Sequence, residues 1–100
     1  MNDVDVYKYF GIIFKFYSND HEPIHIHAEY NKNIVKVTFH QRDGQVYRIT
    51  YKVITSKFPA AKLTEVKRFC SLMKYNIIDK WRDYFINHKP VSCQNVTIKI

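Results

Sequence analysis

From Tyr9 to Ile54 apolar and polar residues alternate in successive runs, a period of two that only strands with one buried face satisfy. The first run, Tyr9 to Tyr17, sets Phe10, Ile12, Phe14 and Phe16 on one side and Ile13, Lys15 and Tyr17 on the other. The second, ending at Tyr30, sets Ile24, Ile26 and Ala28 against His25, His27 and Glu29. Two more span Ile34 to His40 and Gln45 to about Ile54, so the first half of the chain predicts four strands. Ser18 to Pro23, Asn31-Lys32-Asn33 and Arg42-Asp43-Gly44 supply the loop residues between them.

The last of these loops carries register information. Read as a three-residue turn with Gly44 left-handed, it places Gln41 opposite Gln45, Phe39 opposite Tyr47, Val37 opposite Ile49 and Val35 opposite Tyr51. A two-residue Asp43-Gly44 turn would put Thr38 opposite Ile49 unless a bulge intervened.

The period changes after Pro59, which suits a first helical turn. Leu63, Val66, Cys70 and Met73 recur at helical spacing, and Asn76 reads as the N-cap of a second helix with Asp79 in its first turn and Ile77, Trp81, Tyr84 and Phe85 buried. Pro90 lies beyond its end. Val96, Ile98 and Ile100 alternate with Thr97 and Lys99, as an edge strand would. The predicted fold class is therefore α+β: an antiparallel β-meander of about four strands plus a C-terminal edge strand, packed on one face by two α-helices. At 100 residues it forms a single domain, 1–100, with residues 91–100 adding the edge.

Helices on one face leave the other open. That face would carry Lys15, Tyr17, His25, His27, Glu29, Lys36, Thr38, His40, Arg48, Thr50 and Lys52. Sixteen Lys and Arg against nine Asp and Glu give a net charge of +7, which draws RNA, another polyanion or an acidic protein. For nucleic acid the contacts would come from Lys15, Tyr17, Lys36, His40, Arg48 and Lys52, with the cations on phosphates and Tyr17 as a stacking plane. Cys70 and Cys93 frame no disulfide scaffold, and no Cys-x-x-Cys pair is present to hold zinc, so a reducing cytoplasm is expected. No stretch has the make-up of a signal peptide or a membrane span, and no membrane partner is expected.

Three histidines within seven positions, His21, His25 and His27, admit two kinds of chemistry. In a metal-independent ribonuclease one imidazole would deprotonate a ribose 2′-hydroxyl and another would protonate the leaving oxygen, with Lys15, Lys36 or Arg48 stabilising the transition state. Alternatively, His25 and His27 could bind zinc or another divalent transition metal with His21 or Asp20 as third ligand; otherwise no cofactor is expected. Asp20 and Pro23 read as loop-structuring residues, and Gly11 as a point of close backbone approach. An edge strand also admits pairing with a second copy as a homodimer.

Phe10-Gly11-Ile12-Ile13-Phe14-Lys15-Phe16-Tyr17 and Asp20-His21-Glu22-Pro23-Ile24-His25-Ile26-His27-Ala28, with Trp81 in the helical half, resemble the bacterial family called domain of unknown function 4160. The resemblance covers roughly residues 8–88. Ile24 stands where the family pattern has a second proline, and the stretch from Asn33 to Lys57 is longer and more basic than usual. The resemblance implies no assigned activity. It does imply a component of a compact two-gene module of the toxin–antitoxin kind, with a small cognate partner protein encoded nearby.

Overall fold

Three pairs of consecutive residues with positive φ organise the sheet: Phe10 and Gly11 (46° and 86°), Asn31 and Lys32 (49° and 67°), and Asp43 and Gly44 (53° and 78°). Positive φ at both central residues marks a type I′ turn, whose twist matches that of the strands it joins. The computed structural model describes residues 3–17, 23–55 and 57–100. Its elements are β1 (Asp3–Tyr9), β2 (Ile12–Tyr17), β3 (His25–Tyr30), β4 (Asn33–Arg42), β5 (Gln45–Val53), α1 (Ala60–Phe85) and β6 (Gln94–Val96). They form one six-stranded sheet in the order β5-β4-β3-β2-β1-β6, antiparallel except for β6, which runs parallel to β1.

The fold is α+β, as the sequence predicts, but four details differ. The run from Tyr9 to Tyr17 is not one strand. Phe10 and Gly11 turn the chain, so Phe10 is exposed rather than on the core face, and an additional strand, β1, precedes the turn. A Cβ on Gly11 would lie 3.1 Å from Tyr30 Cε1, which adds a packing reason for glycine to its backbone one. In β1 the pairing shifts between Asp5 and Tyr7, and this bulge lets Val6, Tyr7 and Tyr9 all be buried.

The β4–β5 turn is the two-residue one, with Arg42 opposite Gln45. A shift between His40 and Gln41 then restores parity, so Phe39 faces Ile49, Val37 faces Tyr51 and Val35 faces Val53, two residues away from the predicted register. Apolar residues still meet on one face because a slip of two keeps every side chain on its side.

The two expected helices are one. Asn76 lies inside α1, because the stripe of Leu63, Val66, Cys70, Met73, Ile77, Trp81 and Tyr84 stays in phase across it and no Gly or Pro interrupts. The helix does begin near Pro59, which is its N-cap rather than a residue of its first turn. The tail does add an edge strand, but over Gln94–Val96 rather than Val96 to Ile100. It is tied down by Lys80 Nζ, which donates to the carbonyls of Val6 (3.1 Å) and Ser92 (3.0 Å), and by Ile100 N–H, which donates to Tyr9 Oη (2.9 Å).

The core lies between α1 and one sheet face. Phe69 stacks on Phe14 (ring centroids 4.5 Å apart) and meets Tyr7 and Tyr9 at 5.3 and 5.1 Å, while Tyr84 and Phe85 pack on Phe16. Cys70 and Trp81 are buried there, and burial pushes the Cys70 thiol up, away from redox use.

Two core tyrosines make stability pH-dependent. Burial, helped by Asp79, raises Tyr7 to about 12, and burial raises Tyr51 to about 12 as well. Each folded value exceeds the ordinary 10.0, so the unfolded chain loses its protons first and stability falls as pH rises from 10 to 12. Urea unfolding across that window is expected to show the decline, and Tyr7→Phe to flatten it; an unchanged slope in the variant would contradict the assignment.

Candidate functional site

The face turned away from α1 is assembled by cross-strand register. Asp5 on β1 pairs with Lys15 on β2, Lys15 with His27 on β3, His27 with Lys36 on β4, and Lys36 with Lys52 on β5. One polar row therefore crosses five strands. Beside it His25 pairs with Thr38 and Thr38 with Thr50, and His40 pairs with Arg48. The predicted residues Lys15, Tyr17, His25, His27, Lys36, His40, Arg48 and Lys52 do share this face. Asp20 and His21 lie outside the described residues.

His25 and His27 are nonetheless buried, at 7% and 8% exposure. His27 stacks on Tyr17 with ring centroids 4.0 Å apart and planes 13° off parallel, and His25 meets His27 edge-on at 5.3 Å. His25 Nδ1 lies 2.9 Å from the carbonyl oxygen of Pro23. A carbonyl only accepts, so Nδ1 carries the hydrogen and donates it, which fixes the ring where the chain enters β3. Pro23 thus holds the His25 ring through its carbonyl. Tyr17 is half-buried and lends one ring face to His27.

Lys15 is likewise committed. Its ammonium lies 2.9 Å from Glu29, 3.3 Å from Asp3 and 3.9 Å from Asp5, and its side chain is only 12% exposed. Burial disfavours the charged ammonium, but the combined hydrogen bonds and charges of Glu29 and Asp3 outweigh it and raise the Lys15 pKa. Lys15 is a hub for acidic groups rather than a solvent-facing cation. Asp3 and Asp5 escaped the sequence reading because β1 did; the alternation Asp3-Val4-Asp5-Val6 was the available signal.

The face is consequently polarised. Its β1–β2 side holds Asp3, Asp5 and Glu29 around Lys15, whereas its β4–β5 side holds Lys36, Arg48 and Lys52, none of which has an ion-pair partner among the described residues. His40 Nε2 and Thr50 Oγ1 share a hydrogen bond at 2.9 Å. Tyr47, 57% exposed beneath the Arg42 guanidinium at 4.7 Å and 6.3 Å from the His40 ring, is the exposed aromatic next to these cations. Sequence reasoning put it in the core through the misplaced register.

For metal binding, among the described residues no group of three or more His, Cys, Asp and Glu side chains is placed to hold an ion. His25 and His27 adjoin, and the third ligands considered, His21 and Asp20, are outside that set. No helix of the described residues is long and apolar enough to cross a membrane.

Comparison with known proteins adds one finding. No curated protein and no solved structure matches the chain. The family model for a domain of unknown function, DUF4160, matches residues 11–82, from the β1–β2 turn to the last turn of α1, and so takes in the histidine strand, the basic strands and most of the helix. On a match across well over half its length, this chain belongs to the DUF4160 family.

Proposed function

We propose that the protein is a binding module for single-stranded nucleic acid, RNA foremost, which it holds on the β4–β5 half of the uncovered sheet face. The observation that carries this is the direct pairing of Lys36 with Lys52 without a carboxylate partner among the described residues. Like charges directly opposed on adjacent strands cost roughly 0.2–1 kcal/mol. A phosphate between them turns that repulsion into two attractions, with the Thr38 hydroxyl at hand and Arg48 beyond Thr50 on the same face of β5. Tyr47 offers a base an exposed ring, whereas one face of Tyr17 is already stacked on His27.

The buried histidines favour binding over cleavage. An acid–base pair must reach the ribose 2′-hydroxyl and the leaving oxygen, whereas rings at 7% and 8% exposure, one stacked and one held by a backbone carbonyl, serve to brace the strand beneath the basic row. In keeping with its family resemblance, the module is proposed to act with a small cognate protein in a toxin–antitoxin-like pair.

Fluorescence anisotropy with a labelled single-stranded RNA tests the proposal. Lys36→Ala/Lys52→Ala is expected to weaken binding roughly tenfold and to flatten the plot of log K against log salt by about 1.4, two single-strand phosphate contacts at about 0.7 each. Unchanged affinity and slope would overturn it. His25→Ala or His27→Ala protein that binds RNA normally, while wild-type protein cuts it and the variants do not, would establish the ribonuclease instead.

A further inference from the structure

β5 is the outer strand of the sheet, and its free edge is readable from backbone parity. Phe39 N–H donates to the Ile24 carbonyl at 2.9 Å, so the polar groups of Phe39 point toward β3. By alternation those of Lys36, Thr38 and His40 point toward β5, where Lys52, Thr50 and Arg48 meet them. Ile54 N–H donating to the Ile34 carbonyl at 2.9 Å fits the same parity. Ile49, Tyr51 and Val53 are therefore left to direct their N–H and C=O groups away from the sheet. The turn end of this edge is closed, since Val46 N–H donates to the Tyr75 hydroxyl of α1 at 3.2 Å. Among the described residues no such bond closes the Ile49–Val53 end, on a nine-residue strand without proline.

A groove of about 310 Å³ runs beside this edge, with Ile49 and Tyr51 on its sheet side and Ser71 and Lys74 on its helix side. The Lys67 ammonium stands 5.4 Å above the Tyr51 ring. An added strand would meet Lys67 and Lys74 on the helix side and Arg48 and Lys52 on the other, and none of these four has an ion-pair partner among the described residues. A second copy of the chain is a poor occupant. It would bring the same four cations to the joint, on molecules that each carry +7. Nucleic acid matches the charge but makes no use of a row of strand N–H and C=O groups, whereas an extended polypeptide pairs with all of them.

We infer that the open edge of β5, from Ile49 to Val53, receives an extended acidic segment of a partner protein, which adds a seventh strand to the sheet and sets its carboxylates against Lys67 and Lys74. This surface borders the RNA face at Tyr47, Arg48 and Lys52, and it differs from that face in using Lys67 and Lys74 rather than Lys36.

The test uses a fluorescein-labelled eight-residue peptide of alternating Glu and Thr, and the same peptide N-methylated at alternate residues so that one row of N–H donors is lost. The unmodified peptide is expected to bind. N-methylation of the inward row and the protein variant Lys67→Glu/Lys74→Glu are each expected to weaken it at least tenfold. Tyr51→Pro, which removes one outward N–H from an edge position, is expected to act similarly, and Lys36→Ala to change peptide affinity less than twofold. Because N-methylation leaves the protein untouched, misfolding of a variant cannot imitate the result. Absence of peptide binding, or equal binding of the methylated and unmodified peptides, would overturn the inference. So would an eight-nucleotide RNA whose binding is lost in Lys67→Glu/Lys74→Glu while the peptide's is kept, since the groove would then be a nucleic-acid site. Loss of RNA binding in Lys36→Ala, at a β4 residue the added strand does not meet, tests only the RNA face.

Discussion

Phe69→Ala is expected to lower the unfolding free energy by about 3–5 kcal/mol, the range for truncating a fully buried Phe, against a total of about 5–15 kcal/mol for a domain of this kind. The value should fall at the high end because the cavity cannot collapse. Phe69 is fully buried and fills the space among Phe14, Tyr7 and Tyr9, side chains on two paired strands whose positions are fixed by the Phe10-Gly11 turn and by backbone pairing. Urea unfolding followed by circular dichroism measures the effect. Leu72→Ala, on the exposed side of the same helix, is the matching control and should stay within about 0.5 kcal/mol. Comparable losses in the two variants would mean that α1 is not anchored through Phe69.

Phe69 also shows where sequence reading stops. The stripe Leu63, Val66, Cys70 and Met73 gives the buried side of the helix, and Phe69 lies next to it, yet only the packed sheet reveals it as the central ring. Faces were legible along the alternating half except at Phe10, which turns the chain, and Tyr47, beside the shifted pairing, because a period of two is a property of each strand by itself. Register and strand count were not, because they depend on single residues: a bulge near Val6 let one strand bury residues of both parities, and the shift at His40 and Gln41 allowed a two-residue turn to keep Phe39 and Val37 on the core side. The break assigned at Asn76 failed for a related reason. A cap residue signals a helix start only when the apolar stripe changes phase there, and here it does not.

The candidate site divides in the same way. Its membership follows from alternation, so Lys36, His40, Arg48 and Lys52 stand on one face with His25 and His27, as the sequence implies. Which of those side chains are free to act depends on neighbours from other strands. Lys15 is taken by Asp3 and Asp5 from a strand the sequence reading did not include, and Tyr17 is taken by His27.

Lys15→Met should therefore damage the fold and spare binding. Two charge-assisted hydrogen bonds, to Glu29 and Asp3, are lost at about 1.5–3 kcal/mol each, and the part-exposed carboxylates recover some solvation, so a net loss of about 3 kcal/mol is expected near neutral pH. Asp3, Asp5 and Glu29 would then repel one another with no cation among them, and the seam joining β1, β2 and β3 would open first. The sign with pH follows from the raised Lys15 pKa: its contribution is complete below the ordinary 10.5 and is lost as pH rises through the folded value. Wild type and variant should accordingly converge above that range. The double variant Lys15→Met/Glu29→Gln should recover part of the loss, since it removes the carboxylate closest to the missing ammonium. RNA affinity of folded Lys15→Met should remain within about threefold of wild type, because a side chain ringed by three carboxylates presents little positive potential outward. A tenfold fall in RNA affinity with unchanged stability would reverse the assignment and make Lys15 a phosphate contact.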